Sequence, residues 1–193
     1  MRLIFATQNQ HKRDEVQALI GNSLSVSSLQ DFNFRNELPE TSDSLEGNAL
    51  QKAEFIYNKL HQDCFAEDTG LEIEALNNKP GVFSARYAGN QKNSDDNINL
   101  VLTEMEGIEN RRARFRTVIC LYLESGRYYF EGIVNGTIVS EKRGKSGFGY
   151  DPIFIPDGTD KTFAEMSDNE KNEISHRGKA IKNMMEFLES KVR

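Results

Sequence analysis

The sequence predicts an α/β protein built on a mixed sheet, and three observations carry that reading. A short apolar run, Leu3-Ile4-Phe5-Ala6, is followed after a polar break by Val16, Leu19 and Ile20 at helical spacing, so the chain opens strand–loop–helix. A longer helical stripe, Leu45, Ala49, Ala53, Ile56 and Leu60, leads into a second apolar run, Cys64-Phe65-Ala66. Two stretches rich in β-branched and aromatic residues, Ala113 to Leu123 and Tyr128 to Val139, flank Ser125-Gly126-Arg127, which has the composition of a hairpin turn. Helix-linked strands pair in parallel and hairpin strands pair antiparallel, so the expected sheet is mixed.

Taken in order, Leu3 to Ala6 is the first strand, and Thr7 to Asn9 end it. The first helix begins near Lys12 and stops at Gly21. Ser25 to Leu29 is a second strand, followed by a polar loop around Asn36 to Ser44. Cys64 to Ala66 is expected to be a short buried strand ending at an acidic loop, Glu67-Asp68-Thr69-Gly70, with Leu71 to Leu76 continuing in extended form. Asn77 to Gly81 holds Asn-Asn and Pro-Gly and reads as a turn. Asn93 to Met105 is helical by its Ile98, Val101, Leu102 and Met105 stripe, and Glu173 to Val192 closes the chain as one helix around Ile181, Met184, Met185 and Leu188.

The 193 residues suit one domain spanning 1–193, with two lobes. A net charge of −6 disfavours nonspecific binding to duplex DNA, so no nucleic-acid partner is expected. The rival surface, Arg111 to Arg116, reads better as an exposed strand face, because alternate residues of a strand point to opposite sides. No apolar run is long enough for an export signal or a membrane span, and the expected setting is cytoplasmic. Cys64 and Cys120 are far apart and lie in apolar surroundings, which reads as buried reduced thiols.

Four polar constellations could carry chemistry. Thr7 to Lys12 joins a strand to a helix through small polar residues, which suits an anion: Thr7 and Asn9 bring donors and Lys12 a compact positive charge. The same spacing also describes an ordinary N-capped helix. Glu40, Glu46 and Asp68 are carboxylates of the kind magnesium takes, one or two together with substrate phosphates. Asp68, at a strand end, could also take a proton from water. Gly147-Phe148-Gly149-Tyr150-Asp151-Pro152 could present a ring to a purine and a carboxylate to a ring N–H. Lys171, His176 and Arg177 gather near a helix start, where cations fit poorly unless something anionic or carbonyl-bearing joins them.

In combination and in this order, these segments resemble the inosine triphosphate pyrophosphatase family. The resemblance runs over essentially the whole chain: Ala6-Thr7-Gln8-Asn9-Gln10-His11-Lys12, Glu46 to Ala53, Glu67 to Leu71, Pro80 to Tyr87, Gly147 to Pro152, and Glu170-Lys171-Asn172 followed by Ser175-His176-Arg177. It implies an elongated two-lobed fold with the active site in the cleft between the lobes, a homodimer, and dependence on Mg2+. It implies hydrolysis of ITP, dITP and XTP to the monophosphate and pyrophosphate. The alternative is a pyrophosphatase of similar fold that prefers modified pyrimidine or canonical nucleotides.

Carried over by position, Thr7, Gln8, Asn9, Gln10, His11 and Lys12 belong to the substrate's binding site. Thr7, Asn9 and Lys12 would hold its phosphates, with Lys52 beside them and Arg86 nearby. Glu40 and Asp68 would bind the metal, with Glu46 as the other candidate beside Glu40, and Asp68 would be the proton acceptor. Thr69 stands where many relatives have serine. Phe148, Gly149, Tyr150, Asp151, Lys171, His176 and Arg177 would form the nucleobase pocket.

Overall fold

A computed structural model describes residues 2–124 and 126–192. The chain divides into two compact units. The first comprises residues 1–68, 117–132 and 177–193, and the second residues 69–116 and 133–176. The expected hairpin turn includes Ser125, which lies outside the described residues.

In the first unit, β1 (Arg2–Phe5) pairs in parallel with β2 (Ser25–Ser28). It also pairs in parallel with the start of β3 (Cys64–Ile73), Ile4 opposite Cys64 and Phe5 opposite Phe65. That register stacks the Phe5 and Phe65 rings at 4.6 Å between centroids. Side chains alternate along the strand, so Leu3 and Phe5 enter one apolar cluster while Ile4 and Ala6 enter another. The Leu3 cluster takes Val16 and Ile20 of α1 (Gln10–Ile20) and Ile181, Met184 and Leu188 of α5 (His176–Val192). The Ile4 cluster takes Ala49, Ala53 and Ile56 of α2 (Leu45–Leu60). The helical stripes read from the sequence are therefore the faces that cover the sheet. Cys64 and Cys120 both belong to the Ile4 cluster, and burial pushes the thiols up to about 12 and about 11, respectively, far from a reactive thiolate at neutral pH.

In the second unit, the far end of β3 pairs antiparallel with β4 (Lys79–Pro80). The two long strands β5 (Arg112–Leu123) and β6 (Gly126–Ile138) contribute to both units, and β6 pairs antiparallel with β7 (Phe154–Pro156). The sheet is thus mixed, as expected. The core here joins Leu71, Ile73, Phe115, Ile138, Phe154 and Phe163 to Ile98, Val101 and Met105, the latter three on or beside α3 (Ser94–Glu104). Among the described residues no helix is long and apolar enough to cross a membrane.

Three expectations are corrected. Extended backbone continues only to Ile73, and Glu74–Leu76 is a 3-10 turn. The segment from Glu67 to Gly70 is not a loop: β3 runs unbroken through it for 10 residues. Local patterning takes two carboxylates and a glycine as a strand's end, whereas ionic partners from elsewhere in the chain let Glu67 and Asp68 stay buried in the strand. The closing helix is also not continuous. A separate α4 (Asp168–Ile174) ends at Ser175, whose extended backbone (φ −66°, ψ 156°) interrupts the helical path before α5 begins. The Ser167 hydroxyl and the Glu170 carboxylate form a capping box that starts α4 independently.

Gly144 has φ +84°, and a Cβ there would stand 2.3 Å from the backbone of Ala164. Gly144→Ala is expected to lower stability by about 1–3 kcal/mol through overpacking, read as a shift in the urea midpoint. An unmoved midpoint would show that this loop yields without cost.

Candidate functional site

Each unit contains a cluster of buried charge. In the first, β3 presents Glu67 and Asp68 at adjacent positions, so their side chains leave opposite faces and meet different partners. Glu67 receives a two-pronged pair from Arg177 at the start of α5, Nε and Nη2 each donating at 2.8 Å. Lys12 Nζ lies 3.1 Å from the same carboxylate. Arg177 also donates through Nη1 to Glu15 of α1. Arg177 and Glu67 side chains are both 1% exposed. Burial alone would push Glu67 up, but Arg177 and Lys12 together outweigh it and hold the carboxyl well below the usual glutamate range. Burial opposes the Arg177 charge, and Glu67 and Glu15 reverse that effect, raising its affinity for the proton.

On the other face, Lys52 of α2 places its ammonium 2.9 Å from Asp68 Oδ1 and 2.6 Å from Glu40 Oε1. Asn48, one helical turn earlier, donates from Nδ2 to Asp68 Oδ2 at 3.1 Å, so both oxygens of this carboxylate are oriented. Burial would lower the lysine, but Asp68 and Glu40 overcome it and raise its affinity for the proton, keeping it charged at neutral pH. Glu40 therefore shares a partner with Asp68, while Glu46 sits in the first turn of α2 behind its Ser44 cap. The side-chain Oδ1 of Asn9 caps α1 by accepting the Lys12 N–H, and Thr7 Oγ1 accepts the Asn9 N–H. The loop's own side chains thus accept those two backbone donors. Gln8 and Gln10 are exposed and bond Asn36 O and Asp14, and His11 is exposed beside them.

In the second unit, Lys171 of α4 is buried against Asp151, with Nζ 2.7 Å from Oδ2 and each side chain 4% exposed. Its ammonium lies 4.9 Å from the Phe148 ring centroid and 5.7 Å from that of Phe163. Asp151 also accepts the Phe148 N–H at 2.8 Å, which closes the turn. Gly147 adopts φ +74°, and a Cβ there would come within 2.1 Å of Asp151 Oδ2, so this position requires glycine twice over. Gly149 follows at φ +60°. The Tyr150 hydroxyl donates to Ser84 O at 2.8 Å. His176 lies flat on Phe115, with centroids 4.6 Å apart and planes at 15°. Arg86 ends a 3-10 turn with its guanidinium over Phe83, and Thr69 is half-buried in β3.

The residues read from the sequence thus fall into two groups. Thr7 to Lys12, Glu40, Lys52, Asp68 and Arg177 lie in the first unit. Thr69, Arg86, Phe148 to Asp151, Lys171 and His176 lie in the second. Arg177, expected in the nucleobase pocket, is engaged by Glu67 and Glu15, and reaching a base would mean giving up those bonds. Sequence reasoning missed the partners Glu15, Asn48 and Phe163. Asn48 was detectable, four residues before Lys52 on the same helical face. Among the described residues no group of three or more His, Cys, Asp or Glu side chains could hold a metal. Two carboxylates that converge on one cation, Glu40 and Asp68, nevertheless match a magnesium ion that takes its other oxygens from phosphate and water.

The Ham1 family model matches residues 3–187. A Flavobacterium johnsoniae protein named dITP/XTP pyrophosphatase is 50% identical over 188 residues, covering 97% of this chain and 98% of that one. A Porphyromonas gingivalis protein of the same name is 48% identical, covering 97% of each. The solved structure of the Staphylococcus aureus Ham1 protein superposes with a TM-score of 0.90 at 36% identity, covering 99% of this chain and all of that one.

Removing one partner of the Glu67–Arg177 pair leaves a buried charge. Glu67→Gln is expected to cost about 3–5 kcal/mol in urea unfolding at pH 7, and Glu67→Leu/Arg177→Met to cost much less. Equal losses would mean that packing, not charge, sets the value. The sign of the pH effect follows from the same pair. The native carboxyl is held below the ordinary 4.5, so the unfolded chain binds the extra proton first. This contribution is complete at neutral pH, fades below about 4.5 and is lost as pH falls through the native value. Stability measured against pH should fall less steeply on the acid side in Glu67→Gln than in the wild type.

Proposed function

The chain belongs to the Ham1 family, and from that premise we propose that it hydrolyses non-canonical purine nucleoside triphosphates, ITP, dITP and XTP, to the monophosphate and pyrophosphate. The single observation that carries the reading is Asp68: a buried carboxylate oriented on one oxygen by Asn48 and on the other by Lys52, with Glu40 on the same lysine. In this reading water attacks the α-phosphorus. Its oxygen forms the new P–O bond, the bond from that phosphorus to the oxygen bridging to the β-phosphate breaks, and pyrophosphate leaves. Asp68 accepts the water's proton. Lys12 and Lys52 would offset charge on the phosphates, and Thr7 and Asn9 would supply further polar contacts. A magnesium ion held by Glu40 and Asp68 would add Lewis-acid neutralisation of the phosphate oxygens. A cytoplasmic homodimer belongs to the same reading.

For the base, Lys171 beside the Phe148 ring and His176 stacked on Phe115 would supply donors from the second unit. Hypoxanthine and xanthine carry an oxygen at C6 and a proton on N1, whereas adenine carries an amino donor and a bare N1. A donor facing O6 would face another donor with ATP, and buried unpaired groups of this kind discriminate by ~10⁴-fold or more.

The test is a panel of triphosphates assayed for pyrophosphate. Fast release from ITP, dITP and XTP and slow release from ATP is expected; release mainly from pyrimidine nucleotides would favour the alternative preference. EDTA should abolish turnover, and readded magnesium should restore it. Asp68→Asn should lower kcat by about 10²-fold or more while nucleotide binding survives, and an unchanged kcat would remove Asp68 from proton transfer.

A further inference from the structure

The first unit holds a cavity of about 540 Å³ whose lining includes neither Glu67 nor Asp68 nor their lysine partners, within the size range of small-ligand sites. Arg13 and Arg35 line it, together with Gln30, Asn33 and Phe34. Among the described residues no aspartate or glutamate lines it, in a chain whose net charge is −6. Five other arginines, Arg112, Arg114, Arg127, Arg143 and Arg177, each have a carboxylate within 2.9 Å, while Arg2 and Arg111 donate to a hydroxyl and to backbone carbonyls. Among the described residues Arg13 and Arg35 form no such ion pair. Arg13 donates instead to a neutral amide, Gln30 Oε1, at 3.3 Å. Asp31 is the nearby carboxylate that feels Arg13 and Arg2, and it accepts the Ser28 N–H at 2.8 Å in a capping box.

The walls of the cavity are fastened. The Ser28–Asp31 capping box fixes the turn that carries Leu29 and Gln30. Phe34 meets Phe55 edge-on at 5.9 Å, and its N–H donates to Leu29 O. Gln8 Nε2 donates to Asn36 O at 3.0 Å, tying the segment after Arg35 to the loop before α1. Arg35 thus projects from a backbone held on both sides. Two guanidinium forks and neutral amide residues lining one hollow on a braced frame suit the oxygens of a phosphate chain, because each fork can take two oxygens at once. The volume exceeds what one phosphate needs.

We propose that this cavity is an accessory oligophosphate site in which Arg13 and Arg35 grip a molecule bearing two or more phosphates. Thr7, Gln8 and Gln10 also line it. An occupant would therefore touch the loop assigned above to the substrate's phosphates, and released pyrophosphate is of the right class. That link to the reaction rests on the proposed function, whereas the anion site itself does not.

The test is calorimetric titration of sodium pyrophosphate, and separately of orthophosphate, in metal-free buffer at low salt. The intact wild type is compared with Arg13→Gln/Arg35→Glu, with melting temperatures measured alongside. The expected result is a pyrophosphate-binding event in the wild type that weakens at least tenfold in the variant while its melting temperature holds. Superimposable pyrophosphate isotherms would overturn the proposal, as would orthophosphate binding as tight as pyrophosphate. ITP turnover is assayed on the same wild-type sample. Its absence would sink the proposed function and leave the titration to decide the cavity.

Discussion

The pair between Arg177 and Glu67 ties together three elements of the first unit. Both groups are almost wholly withdrawn from water, so each has a place only while the other is there. The guanidinium comes from the start of α5, the carboxylate from β3, and Glu15 and Lys12 from α1. Three elements far apart in sequence are thereby fixed around one charge cluster. Such a cluster adds little net stability over an apolar replacement, since desolvation consumes most of the attraction. Its contacts link α1 and α5 to the strand through one carboxylate.

The neighbouring residue lies on the same strand. Glu67 is locked on one face by Arg177 and Lys12, so Asp68 on the other face is presented at a fixed depth to Lys52 and Asn48. A carboxylate with both oxygens oriented and an ammonium at contact distance is poised for electrostatic work at small reorganisation cost. The second unit solves a different problem with related means. There Lys171 is neutralised by Asp151 and flanked by the Phe148 and Phe163 rings, while two left-handed glycines give the turn its tight curvature. Charge paired in an apolar, aromatic setting keeps its directionality, which suits recognition of a flat polar ligand.

The mixed sheet, the helical stripes and the buried thiols were legible in the sequence, because each depends on local periodicity. Alternation placed Leu3 and Phe5 opposite Ile4 and Ala6, and the 3.6-residue stripe of Ala49, Ala53 and Ile56 marked the covering face of α2. Periodicity misled where a long-range partner altered the local preference. The strand continues through Glu67 and Asp68 because cations from distant segments compensate their burial. The helix breaks at Ser175, where the apolar stripe gives no sign of a break, and α4 carries its own start signal in Ser167 and Glu170.

By itself the sequence determined the inventory: an α/β chain with a threonine–asparagine–lysine loop, an acidic strand segment, a glycine–aromatic turn and a terminal cationic cluster, in an order that marks the Ham1 family. Only the tertiary structure decided the partnerships. It divided the cationic cluster, giving Lys171 to Asp151 and Arg177 to a glutamate 110 residues away. The physical reason is that residue type and spacing encode which groups can be buried. Which opposite charge meets each one depends on strand register and helix packing, settled only when the whole chain has closed around its core.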